Sequence, residues 1–238
     1  MAKLQDIPEI ILLCMEEKFI TAFNEALPTQ WPSFADNPKV KITVLNMGLH
    51  AVPATTKFQL VVSPANSYGR LDGAFDDAIS RKFCQPHHPY DTLTRAAQRV
   101  LYEKWRGFAP PGSCTLVPFP KDMEGTNAWG CKWVAICPTM RAPDNVTWDR
   151  EVVYECVWSL LCQLESWNHN RSEDRIDSIL MTPLATGVGR VSPQRWASQL
   201  ILSMKHFVDA LERPERWSQL GWRDIEEDVL EVEETWKE

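Results

Sequence analysis

The chain of 238 residues is 44% hydrophobic, enough for a sizeable core in one domain, and it contains no apolar run of the length a membrane helix needs. Its net charge of −7 is concentrated at the end, where residues 223–238 hold eight acids against two bases and leave the preceding body close to neutral. A near-neutral body lacks the basic stripe that a nucleic-acid duplex requires, and the start MAKLQDIPEI puts acids where a signal peptide carries a basic region and a long apolar run. The expectation is a soluble, intracellular protein, cytoplasmic and/or nuclear, with neither duplex nor membrane as partner.

In chain order, residues 7–14 (IPEIILLC) predict a buried strand, and the following MEEKFITAFNEAL has helical spacing that Pro28 should stop. Residues 40–46 and 57–63 read as strands, with a helix over 74–83 after a polar turn. Asp91 is placed to cap a helix running to about Trp105. Strands follow over 113–119 and 131–137, then a helix over 149–167 on whose face Val153, Cys156, Leu160 and Leu164 recur. The strand IDSILMTPL leads into ATGVGRV and a helix opened by Ser192 and Pro193, which Pro214 follows. Strands alternating with helices predict an α/β fold: a three-layer α/β/α sandwich with a mixed, largely parallel central sheet. One domain is expected over residues 1–222, with 223–238 as an acidic tail carrying a short helix through Ile225, Val229 and Val232.

Seven cysteines without a C-x-x-C pair read as core thiols, no Cys/His spacing matches a zinc site, and His87-His88 between prolines reads as a loop feature. No metal is expected. GVGRV is too short for a dinucleotide fingerprint, no Walker A, G-x-S-x-G or H-E-x-x-H pattern occurs, and no cofactor is expected. The eleven tryptophans read as packing residues rather than as a stacking platform for single strands.

The chemistry-bearing pattern is a pair of strand-loop-helix units with glycine in each loop. A loop feeding a helix N-terminus presents unpaired backbone N–H groups at the positive end of the helix dipole, where anions settle. Glycine lets a phosphate approach the backbone without an intervening Cβ. Candidate anion contacts are Gly73, Ala74 and Phe75 in the first loop and Thr186, Gly187, Val188, Gly189 and Arg190 in the second.

The stretch VVSPANSYGRLDGAFDDAI, from Val61 to Ile79, resembles the first signature of macro domains, roughly V-N-A-A-N-S followed by a glycine run and V-D-x-A-I. TPLATGVGRVSP, from Thr182 to Pro193, resembles that family's second phosphate loop, and CPTMRAP (137–143) the segment after a central strand in one macro-like branch. The resemblance implies a cleft for ADP-ribose, with the diphosphate between the two loops and Asn66 hydrogen-bonding the distal ribose. The residue-level alternative for Asn66 is a turn asparagine serving its own backbone. Two departures stand out: Ser63 occupies a usual asparagine position, and the glycine run is reduced to L-D-G-A, with Asp72 set near the expected diphosphate. Asn46 is the nearest candidate for reading adenine, and Phe75 or Tyr68 could stack on the ligand.

Asp76 matches the aspartate of macro-domain hydrolases that remove ADP-ribose from acidic side chains. An aspartate in a helix's first turn is also favoured by the dipole alone. The resemblance therefore leaves three functions open. They are an ADP-ribose-binding module, a hydrolase of ADP-ribosyl esters or phosphatase on ADP-ribose 1″-phosphate, and a degenerate scaffold for protein interactions.

Overall fold

The structure, a computed structural model, describes residues 4–238. The first three positions of the segment read for a signal peptide lie outside the described residues. Six strands, β1 (Glu9–Leu13), β2 (Ile42–Leu45), β3 (Leu60–Ser63), β4 (Thr115–Pro118), β5 (Trp133–Ile136) and β6 (Ser178–Met181), form one sheet in the order β2-β1-β6-β3-β5-β4. All neighbours are parallel except the edge pair β4–β5. The strands that form the middle of the sheet are short apolar runs, as expected of strands buried on both faces.

Alternation along each strand sends its side chains to two separate cores. Ile10, Leu12, Leu60, Val62 and Ile179 pack on one face beneath α1 (Glu17–Gln30), α4 (Val152–Asn170) and α5 (Pro193–Glu212). Ile11, Leu13, Val61, Val134 and Leu180 pack on the other beneath α2 (Ala74–Phe83) and α3 (Thr92–Trp105). The result is a three-layer α/β/α sandwich. Trp196 of α5 is fully buried and meets Phe19 of α1 edge-on, with ring centroids 5.7 Å apart. The tryptophans divide: Trp31, Trp129 and Trp196 are buried, whereas Trp148 and Trp222 are exposed.

Two helix ends differ from the sequence expectation. Pro28 lies inside α1 rather than ending it: the bond it removes is to the carbonyl of exposed Asn24, and beyond it the Trp31 N–H still closes onto the Leu27 carbonyl at 2.9 Å. Asp91 precedes α3 but its carboxylate makes no cap bond, being held instead by the Arg95 guanidinium one turn on. Ser192 does cap α5, its hydroxyl accepting from the Arg195 N–H at 3.1 Å.

After the short α6 (Pro214–Trp217), the acidic segment forms α7 (Trp222–Glu234). His206 and Lys205 of α5 reach Glu231 at 2.9 and 2.6 Å, and Gln199 donates to the Thr235 hydroxyl at 2.9 Å. Tyr154 of α4 completes the chain with a 3.0 Å bond to His206 Nδ1. Burial works against charge on Glu231, but the hydrogen bonds from Lys205 and His206 outweigh it and hold its pKa below the usual carboxylate range. All seven cysteines are unpaired, and among the described residues no helix is long and apolar enough to cross a membrane.

Candidate functional site

The carboxyl ends of β1, β6, β3 and β5 lie along one edge of the sheet, so the segments leaving them converge there. Between them is a cavity of about 280 Å³. Met15 and Glu16 line it from the end of β1, residues 64–66, Arg70 and residues 72–76 from β3 and the start of α2, Thr139, Met140 and Pro143 from β5, and Thr182, Pro183 and residues 185–189 from β6. Asn66, Gly73, Ala74, Phe75, Asp76, Thr186, Gly187, Val188 and Gly189 therefore share one cavity. Arg190 does not line it; its N–H turns back to the Gly187 carbonyl at 3.1 Å.

The two loops supply donors. Gly73 is the N-cap of α2, and among the described residues the backbone N–H groups of Ala74 and Phe75 have no protein acceptor. The same holds for Thr186, Gly187, Val188 and Gly189 in the second loop. Unpaired main-chain donors at a helix start and in a turn are the elements of an anion cradle.

The conformational role of the glycines differs from the sequence expectation. Gly73 and Gly187 do not take positive φ, and a Cβ on either would meet open space. Besides Gly69 (φ 65°), the left-handed backbone is carried by Ala74 (φ 49°), Ala185 (φ 60°) and Arg190 (φ 59°), so strain gathers in these two loops. Gly189 is sterically required, since a Cβ there would fall 2.4 Å from the Ala185 carbonyl oxygen, and Gly69 is the counterpart in the first loop, with Leu101 Cδ1 2.7 Å from where its Cβ would be.

Asn66 braces its own loop. Its side-chain oxygen accepts from the N–H groups of Tyr68 at 3.0 Å and Arg70 at 3.3 Å, and its Nδ2 donates to the Arg70 carbonyl at 2.9 Å. The backbone beside it pairs with the segment after β5, through Ser67 N–H to Met140 O at 2.9 Å and Thr139 N–H to Ala65 O at 3.0 Å. This pairing brings Thr139 into the cavity wall. Its hydroxyl is buried with no hydrogen-bond partner, and sequence reasoning missed it because nothing in CPTMRAP marks an orphaned group.

Asp76, 6% exposed, accepts a 2.6 Å hydrogen bond from the Ser63 hydroxyl at the end of β3. Burial pushes its pKa up to about 7; the Ser63 bond works the other way, and the nearby Asp72 charge adds to the rise. Asp72 itself is ion-paired with Arg70, so its charge is partly met within the loop and the cavity has no uncommitted cation.

Phe75 is shared with a second, largely apolar cavity of about 580 Å³ that also includes Met15, Leu49, Ala78 and Thr182. Of the other residues considered from sequence, Asn46 donates to Glu17 at 2.7 Å and Tyr68 packs on Phe108 and accepts from Arg141 at 3.1 Å; neither lines the first cavity. His88 is held by Asp122 at 3.1 Å in a surface loop. At the opposite end of the sheet Asp6, Glu165 and His169 come together, and the Arg175 guanidinium is 2.9 Å from Asp6.

No family model and no curated protein matches the chain. Its structure is similar to that of an Oceanobacillus iheyensis macrodomain with ADP, at 17% identity and a TM-score of 0.48 over 68% of this chain and 75% of that one. The same macrodomain with MES bound aligns at 16% identity and a TM-score of 0.47 over 77% and 86% of the two chains. An Oryza sativa APL macrodomain in complex with ADP-ribose is similar at 10% identity and a TM-score of 0.35 over 88% and 98%.

Proposed function

We propose that the protein binds ADP-ribose or a related ADP-ribosyl metabolite inside the cell, in the cytoplasm and/or nucleus. The observation that carries this reading is the meeting of two strand-loop-helix turns across one cavity, each with main-chain N–H groups that lack a protein acceptor. Such donors bind a diphosphate without lysine or arginine, which suits a lining whose one arginine is already paired. The diphosphate would lie between Gly73–Phe75 and Thr186–Gly189, with the nucleoside toward one end and the distal ribose toward the other. The test is calorimetric titration of ADP-ribose into the intact protein and into a Gly187→Glu variant. That position has room for a side chain, and the new carboxylate repels a phosphate. Saturable binding that the variant loses supports the reading; no binding by the intact protein sinks it.

A second reading, hydrolysis of ADP-ribosyl esters or of ADP-ribose 1″-phosphate, is favoured by Asp76. A carboxyl group that titrates at about 7 in a cavity wall can take or give a proton at neutral pH. Release of ADP-ribose from such substrates, abolished in Asp76→Asn with binding retained, would establish it. Full turnover in that variant would remove Asp76 from the chemistry.

A further inference from the structure

The side-chain hydroxyls and amides around the cavity are nearly all committed. Ser63 donates to Asp76 and Thr186 to the Pro183 carbonyl at 3.0 Å, Thr182 donates to the Leu13 carbonyl at 3.3 Å, and Asn66 spends its oxygen on two N–H groups of its own loop. Thr139 is the exception. It is 1% exposed, its backbone is fixed by the bond to Ala65, and its Oγ1 has no partner. A buried hydroxyl left unpaired in a folded protein calls for a reason, because it has lost its hydrogen bonds to water. Asp76 lines the same cavity, and among the described residues no side-chain donor reaches its second carboxyl oxygen. With Asp76 present and Arg70 held by Asp72, this part of the wall suits a neutral group that both donates and accepts better than it suits an anion.

We propose that Thr139 is the side chain that reads a hydroxyl of the distal sugar, while Asn66 serves as the brace of the loop. This inference rests on the reading of the site as an ADP-ribose cleft. The sugar hydroxyl would bond Thr139 Oγ1 and the free oxygen of Asp76, which makes Thr139 a determinant of preference for ADP-ribose over ADP, the ligand without that sugar.

The test compares ADP-ribose and ADP by calorimetry in the intact protein, Thr139→Val and Thr139→Ser, beside thermal melts of the free proteins. In Thr139→Val the ratio of ADP-ribose to ADP affinity should fall roughly tenfold. Thr139→Ser should recover most of it. The free Thr139→Val protein should melt no lower than the parent, because the hydroxyl it loses has no partner there. An unchanged affinity ratio in Thr139→Val, or a lowered melting temperature in the free variant, overturns the proposal while leaving the ADP-ribose reading intact. Failure of the intact protein to bind either nucleotide overturns that reading and the proposal with it.

Discussion

The Ser63 hydroxyl donates to a carboxyl oxygen of Asp76 across 2.6 Å, joining the last residue of β3 to the first turn of α2 beneath the cavity. The bond favours the charged carboxylate, yet burial dominates and Asp76 titrates at about 7. Unfolded, the same group titrates near pH 3.9 or so, at about the reference value. Below that pH it is neutral in both states. Between about pH 4 and pH 7 the folded protein holds a proton that the unfolded chain has released, so stability falls as pH rises, and above 7 the loss is complete. At about 1.4 kcal/mol per pH unit the contribution amounts to roughly 4 kcal/mol. Asp76→Asn should therefore raise the melting temperature clearly at pH 8 and little at pH 4. An equal gain at both would show that the aspartate is not neutralised on folding.

Removing the donor should act in the opposite sense. Ser63→Ala takes away a bond that favours the charged form, so the Asp76 pKa should rise further and the variant should lose more stability at pH 8 than at pH 5. Carbon-detected NMR titration of the Asp76 carboxyl reads the shift directly; a fall would contradict the account.

The glycines of the second loop should not be equivalent. Gly189→Ala drives a Cβ into the Ala185 carbonyl, a backbone atom that yields only if the loop moves, so both melting temperature and nucleotide affinity should drop. Gly187→Ala meets no protein atom and should melt like the parent. Paired melts and ADP-ribose titrations check this, and equal behaviour of the two variants would argue against the loop geometry.

In the first loop, Ala74 holds a left-handed φ of 49°, which glycine adopts without strain. Ala74→Gly should stabilise the protein by about 0.5–1 kcal/mol despite the added freedom of the unfolded chain. Denaturant unfolding measures the difference; a loss of similar size would mean that the alanine is not strained.

Glu231 binds α7 to α5 through Lys205 and His206, with its pKa held low. Its stabilisation is present above the unfolded pKa of about 4.3 and is lost as pH falls through the lower folded value. Glu231→Gln should accordingly destabilise at pH 7, and the gap from the parent should close as pH drops below about 4. Urea melts across that range would show whether it does.

Much of this architecture is legible from periodicity. The apolar runs at 7–14 and 176–184 and the helical spacing from Val153 to Leu164 depend on local pattern, and the elements form where that pattern puts them. Pro28 misled because the single bond it removes falls on the carbonyl of Asn24, an exposed residue open to water. Along the cavity, the spacing drew attention to the right loops but not to the tasks of individual side chains. Asn66 turns its amide oxygen inward to its own loop, and Arg190 follows the glycines yet leaves the wall. Thr139 gives no sequence signal at all, since being unpaired is a property of what surrounds it after β3 and β5 have paired. In the acidic segment, Val232 is buried while Val229 stays exposed, a distinction that depends on where α5 lies.

β3 and β6 are neighbours in the sheet, with Leu60 opposite Ile179 and Val61 opposite Leu180, and each delivers one of the two cradle loops. The gauge of the cleft is thus a backbone dimension, one strand spacing of about 4.8 Å plus the lean of the turns. Apart from Asn66 and Gly189, which hold the loops themselves, residues there can change without altering that spacing, as long as the ladder between these two strands keeps its register.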